Sequence, residues 1–312
     1  MKAINCAILS AAAVLALSCG GQRFHEFRGY AQGGTYCVKA DLGGVKVTPA
    51  RIHRKIESIL TEVDTTFSGY NRNSVLSRRN EGADVPTNGM FDDLLRISEH
   101  YTDITRGAFN PYAAPLFDIW GFGFRNDSLP SKERIDEAMA ATASERTLNF
   151  NAIAQGYTCD LVAAYLRSIG VRNYLVDIGE IACSGKNPHG KGWTISIDTP
   201  YDGNMTPGES ICGKWISDGG TYGVVTSGNY RKYYVKDGKK YAHTIDPRTG
   251  RPVEHGLLSA TVIAPNATCA DAMATYFMVA GFEEASRIIS EADSLEGCLV
   301  TADSVWTSKG FN

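Results

Sequence analysis

Apolar residues in the first half of this 312-residue chain recur mostly at helical spacing, whereas the second half breaks into short β-branched and aromatic runs. This irregular order limits the fold more than any other feature. Thr48 with Pro49 makes an N-cap and first turn, and Ile52, Ile56, Ile59, Leu60 and Val63 then carry a helix to about Thr66. Phe91, Leu94, Leu95, Ile97 and Tyr101 predict a second helix, and Ile153, Tyr157, Leu161, Tyr165 and Ile169 a third that closes at Gly170. Tyr174 to Ile178, Trp193 to Ile197, Tyr222 to Thr226, Leu258 to Ala264 and Cys298 to Thr301 read as strands. Arg231 to Val235 and Lys240 to Ile245 flank Asp237-Gly238, a pair suited to the positive φ of a tight hairpin turn. Strands that do not alternate with helices do not build a parallel βαβ sheet, so the pattern predicts one α+β domain with a mixed or antiparallel sheet and packed helices.

The content of 43% hydrophobic residues is enough for a sizeable core, and 31 Lys plus Arg against 34 Asp plus Glu leaves no basic surface for neutralising phosphates. Nucleic acid is thereby excluded as a partner. Lys2, the apolar run Ala7 to Leu17 and the small residues Ala16 and Ser18 before Cys19 read as an export segment, too short to span a bilayer. A segment of this kind resembles a bacterial lipoprotein signal: residues 1–18 are removed, Cys19 is lipidated and residues 19–29 form a tether before a domain over 30–312. The expectation is a protein held in the cell envelope by a membrane anchor and facing the periplasm. Of the eight cysteines, Cys6 leaves with the signal, and Cys37, Cys159, Cys183, Cys212, Cys269 and Cys298 are too widely spaced for a structural zinc site. Their spacing does not choose a disulfide pairing.

Five regions carry polar groups in arrangements that suit chemistry. In CADAMATYFMVAG, Asp271 and Thr275 stand four apart, so a carboxylate and a hydroxyl share one helix face. Hard oxygen ligands suit Mg²⁺, although an Asp near a helix start also favours the macrodipole and a mid-helix Thr also bonds a carbonyl one turn back. In YGVVTSGNYRKYY, Thr226, Ser227, Gly228 and Asn229 end a strand with donors and a flexible glycine, and in YAHTIDPRTGRP His243 precedes a turn built on Asp246 and Pro247. A histidine of ordinary pKa can take a proton from a hydroxyl nucleophile, but a lone histidine in a strand is also an ordinary packed residue. LNFNAIAQGYTCD offers Asn149, Asn151 and Gln155 at a helix start, where amides either cap the helix or meet a phosphate. FSGYNRNSVLSRRN places Tyr70 in a loop where it can stack on a flat ring, and RGAFNPYAAPLFDIWGFG joins turn residues to Phe109, Trp120 and Phe122, as a ligand loop or as core lining. No GxGxxG or GxxxxGK[ST] stretch is present.

FSGYNRNSVLS, GAFNPYAAPLFDIWGFG, NAIAQGYTCD, TSGNY, HTIDPRTG and ADAMAT, in this order, resemble the blocks of the ApbE family, flavin transferases that attach FMN from FAD to a protein. The resemblance runs from about Gly33 to Gly281 and implies an α+β fold. It also implies Mg²⁺-dependent transfer of FMN from FAD to a Thr or Ser hydroxyl of an exported acceptor protein, with AMP released. By that resemblance Asp271 and Thr275 correspond to side-chain metal ligands and Ala152 to a backbone carbonyl ligand. His243 corresponds to the general base, and Tyr70, Ala108, Phe109, Asn110, Asn149, Gln155, Ser227, Gly228 and Ile245 to the FAD site, with Gly33 and Thr35 in the first short block. Asn149 stands where the family usually has an acidic residue, Gln155 where it often has Lys, and VDIGEI is one glycine shorter than the family's DIGGEI. The two side-chain changes remove charge but keep hydrogen-bonding capacity. Two other functions use the same residues: an FAD pyrophosphatase, in which water takes the place of the acceptor, and a non-enzymatic flavin-binding lipoprotein.

Overall fold

The computed structural model describes residues 23–123, 129–144, 146–202, 204, 206, 208–230, 233–236 and 238–311. The predicted signal with Cys6 and Cys19 lies outside the described residues, as does Asp237 of the hairpin turn. The chain opens with strands β1 (Phe24–Ala31) and β2 (Gly34–Asp41), which turn through Gln32 and Gly33, both at positive φ. Phe24 to Gly29 therefore belong to a strand, not to the expected tether, and pair with β2 from Asp41 back to Tyr36. Exposed Glu26 and Arg28 alternate with buried Phe27, which gives this strand a polar composition with one apolar face.

Helices α1 (Pro49–Phe67), α2 (Val75–Asn80), α3 (Gly89–Ile104), α4 (Ala114–Ile119), α5 (Lys132–Ala143) and α6 (Ala154–Ser168) follow. The three long periodic stretches thus form helices within a few residues of the predicted limits. Thr48 is the N-cap residue of α1 but contributes no side-chain bond, and Pro49 supplies the first turn. Gly170 takes φ 92° beyond α6, where the Val171 N–H reaches back to the Leu166 carbonyl.

Strands β3 (Tyr174–Asp177), β4 (Ile181–Ser184), β5 (Thr194–Asp198), β6 (Ile211–Ile216), β7 (Thr221–Gly228), β8 (Tyr233–Lys236), β9 (Lys239–Ala242), β10 (Ile245–Asp246), β11 (Arg251–Pro252) and β12 (Leu257–Ala264) come next. Helices α7 (Ala267–Ala280) and α8 (Phe282–Glu291) precede β13 (Glu296–Thr301) and β14 (Val305–Thr307). The main sheet has eight strands in the order β1-β2-β3-β4-β7-β12-β13-β14, and every neighbouring pair is antiparallel. The segment Lys240 to Ile245, predicted as one strand, is split into β9 and β10. The break has a local cause: the Thr244 hydroxyl donates to Asn229 Oδ1 at 2.5 Å and the Thr244 carbonyl accepts from Val253 N.

Helices α1 and α6 bury Ile52, Ile56, Val162 and Leu166 against Val38, Tyr174 and Val176 of the sheet. Helix α7 lies on β7 and β12 and buries Ala270, Ala274, Phe277 and Met278 there. Its alanines permit a close approach, and glycines of its neighbours make it closer still. A Cβ on Gly223 of β7 would stand 2.2 Å from Ala267 N, and one on Gly156 of α6 would stand 2.3 Å from the Ala267 carbonyl oxygen. Only glycine fits at either position. The six described cysteines are free thiols, with Cys159, Cys183 and Cys298 buried.

Candidate active site

Helices α6 and α7 are linked by reciprocal polar contacts. From α6, Asp160 accepts the Ala267 N–H at 3.0 Å and the Thr268 N–H at 2.8 Å, groups that a helix start leaves without intrahelical partners. From α7, Asp271 Oδ2 accepts the Gly156 N–H at 2.9 Å, possible because Gly156 has no side chain. One turn further along α7, the Thr275 hydroxyl lies 3.5 Å from the carbonyl oxygen of Ala152, just before α6. Asp271 and Thr275 of α7 and the distant Ala152 therefore line one cavity.

Asp271 is only 5% exposed. Burial pushes its carboxyl up to about 7, and the Asp160 charge adds to the rise against the lowering Gly156 N–H. No lysine, arginine or histidine among the described residues pairs with it. A buried carboxylate beside a hydroxyl and a peptide oxygen is a donor set that fits a hard divalent cation. The described residues hold no cluster of three or more His, Cys, Asp or Glu able to bind a metal, so a cation here would draw on neutral oxygens as well as Asp271.

These donors face a cavity of about 300 Å³. Its walls include each predicted site residue except Gly33 and Thr35 of the first short block. Tyr70 from the loop after α1 stands at the rim, 72% exposed, while Ala108, Phe109 and Asn110 come from the loop after α3. Asn149 and Ala152 come from the approach to α6 and Gln155 from its first turn, Ser227 and Gly228 from the end of β7, His243 from the β9–β10 break and Ile245 from the start of β10. Asp271 and Thr275 complete the set from α7. Gly33 and Thr35 are exposed on the β1–β2 turn and are not part of this lining.

Local bonding explains how several of these groups are held. Asn149 does not cap α6, whose N-cap is Ile153 without a side-chain bond; its Oδ1 accepts the Asn151 N–H at 2.9 Å in a turn of its own. Gln155 Nε2 donates to the Ile178 carbonyl at 3.2 Å and lies over Gly179, which has φ 92°. Asn110 Oδ1 accepts the Tyr112 N–H at 2.8 Å. In the predicted turn, Asp246 accepts from Arg248 N and Nε, both at 2.9 Å, and its carbonyl accepts the Gly250 N–H at 2.9 Å. Six wall residues were not singled out from the sequence: Phe117, Tyr230, Thr244, Glu180, Met278 and Val279. For the last two a signal existed, since they follow Thr275 at i+3 and i+4 on the same helix face. Glu180 has no sequence signal apart from its place in the VDIGEI block.

The ApbE family model matches residues 33–299. A protein of Haemophilus influenzae named FAD:protein FMN transferase is 31% identical over 99% of this chain and 96% of its own length. Its counterpart of the same name from Vibrio cholerae is 32% identical over 83% of this chain and 81% of its own length. Among solved structures, the flavin transferase ApbE from Vibrio cholerae superposes with a TM-score of 0.78 at 28% identity, covering 92% of this chain and 98% of that one. The apo flavinyl transferase ApbE of Pseudomonas stutzeri superposes with a TM-score of 0.79 at 31% identity, covering 92% of this chain and 95% of that one. With its sequence matched from the first sheet hairpin to β13 and its fold shared over nearly the full length, the chain belongs to the ApbE family.

Proposed function

We propose that this protein transfers FMN from FAD to a Thr or Ser hydroxyl of an exported acceptor protein, with Mg²⁺ bound and AMP released. The observation that carries this reading is the meeting of Asp271, Thr275 and the Ala152 carbonyl in the cavity that also holds His243. The names of the relatives support it as well. Asp271, Thr275 and the Ala152 carbonyl would hold Mg²⁺, which would supply charge neutralisation on the diphosphate and on the departing AMP.

His243 takes the proton of the incoming hydroxyl as its oxygen bonds to the FMN phosphorus and the bond from that phosphorus to the bridging oxygen breaks, freeing AMP. Ser227 and Gly228, at a strand end, bring a hydroxyl and an uncrowded backbone to the ligand, and the Asn110, Asn149 and Gln155 amides bind its polar edges. Phe109 and Ile245 give an apolar wall, and Tyr70 offers a ring face at the rim. Tyr70 also lines a wider hollow of about 770 Å³ next to the smaller cavity. The export segment adds the site of action: attachment to the cell envelope through Cys19, facing the periplasm.

The test is mass spectrometry of an acceptor carrying the family's short Thr-containing target sequence after incubation with the protein, FAD and Mg²⁺. A gain equal to FMN less water, surviving denaturation, is the expected result. An unmodified acceptor rules the reading out, and FMN with AMP released at a comparable rate without acceptor marks a pyrophosphatase instead.

A further inference from the structure

Four aromatic rings form a continuous stack beside the active site. Trp120, at the end of α4, stacks on Tyr241 of β9 with centroids 5.9 Å apart and planes 29° apart. Tyr241 stacks on its cross-strand partner Tyr234 of β8 at 5.3 Å and 19°. Tyr234 stacks in turn on Phe122 at 5.2 Å and 28°. Phe122 then meets the His243 imidazole edge-on, at 6.3 Å and 69°. The far end is anchored, because Trp120 is 4% exposed and its Nε1–H donates to the Gly250 carbonyl at 2.8 Å.

The hairpin that bears this stack needs such an attachment. Among the described residues, β8 and β9 pair only with each other and with no strand of the eight-stranded sheet. His243 follows β9 directly, and Thr244 next to it is tied to Asn229, just beyond β7, and to Val253. Among the described residues no strand of the main sheet pairs with the N-terminal approach to the imidazole, and the ring stack joins this approach to the end of α4. Offset ring pairs of this geometry each contribute about 0.5–1.5 kcal/mol beyond area burial and resist rotation of their members.

We propose that Tyr234 and Tyr241 are positioning residues for His243, acting through Phe122 to hold the imidazole in the orientation that accepts the acceptor's proton. The proposal rests on the reading of His243 as general base. Neither tyrosine lines the cavity, so their effect on the reaction passes through the stack and not through contact with FAD. Their rings, not their hydroxyls, carry the function.

The experiment compares Tyr234→Leu and Tyr241→Leu with Tyr234→Phe and Tyr241→Phe in the full chain, measuring transfer rate at saturating FAD, FAD affinity, and the NMR signal of isotope-labelled His243. The leucine variants are expected to lose roughly tenfold or more in rate, within the on-the-order-of 10²-fold loss that follows a displaced catalytic group. FAD affinity should stay within about twofold, the His243 signal should broaden or shift, and the phenylalanine variants should restore rate and signal. An unchanged rate and signal in the leucine variants overturns the proposal, as do parallel losses of rate and FAD affinity. Phenylalanine variants as impaired as leucine overturn it too, because the hydroxyls would then be the working groups. Full transfer by His243→Ala removes the base reading itself; that failure is distinguishable, since the His243 signal of the tyrosine variants still reports whether the stack holds the ring.

Discussion

Under the proposed function, individual side chains divide the work between holding the cation and moving the proton, and their variants should fail differently. Asp271→Ala removes the one charged oxygen of the donor set, so transfer should fall to background with Mg²⁺ present. His243→Ala leaves that set intact: FAD affinity measured by flavin fluorescence should change little, while the transfer rate drops by roughly 10²–10⁴-fold, the usual contribution of a positioned base. Equal loss of FAD binding in both variants would show the two roles are not separate. Gly156 is as sensitive as either. A Cβ there would lie 2.8 Å from Asp271 Cβ as well as against the Ala267 carbonyl, so Gly156→Ala should cost about 1–3 kcal/mol in denaturant unfolding and impair transfer.

Between elements, the α6–α7 contact is the frame of the site, and Asp160 anchors its far end. Asp160→Ala leaves the Ala267 and Thr268 N–H groups without that acceptor, a loss of about 1–2 kcal/mol readable as a lower unfolding midpoint. Loosening α7 also loosens Asp271 and Thr275, so the variant should need more Mg²⁺ for half-maximal transfer. Asp177, at the end of β3, gives a pH-dependent effect of its own. Burial raises its carboxyl above the ordinary value of 3.8 despite the Gly179 N–H that it accepts. The folded state therefore holds this proton more tightly than the unfolded chain, and its stability contribution, complete below the ordinary carboxyl value, is lost as pH rises through the folded value. Asp177→Asn keeps the acceptor oxygen and has no charge to bury. Relative to the native protein it should gain stability at neutral pH and little at acid pH, in denaturant titrations at the two conditions.

Across the whole molecule, residues from both ends of the chain are folded over a common sheet, so ligand binding should stabilise the entire fold. FAD with Mg²⁺ at about one hundred times its Kd should add about 2.7 kcal/mol to unfolding, and chelating the metal should remove much of the accompanying rise in Tm. A Tm indifferent to chelator would contradict the metal's part in holding FAD. The long periodic helices, the strands with clear alternation and the Asp246–Gly250 turn were legible in the chain because local periodicity and turn chemistry specify them. Strand β1, which is polar apart from one face, and the short elements β14, α2 and α4 were not: their apolar faces become evident only when another element covers them. The same divide runs through the site. Asp271 and Thr275 share a face by helical spacing alone, and the resemblance of the ordered blocks pointed to Ala152 and His243. That Ala152 meets Thr275, that Asp160 caps α7, and that Trp120, Tyr241, Tyr234 and Phe122 stack towards His243 was decided by packing between segments distant in the chain. A sequence carries the periodicity of each element, but contacts across the core arise from how close two backbones can come, which here depends on Gly156 and Gly223 as seen from α7.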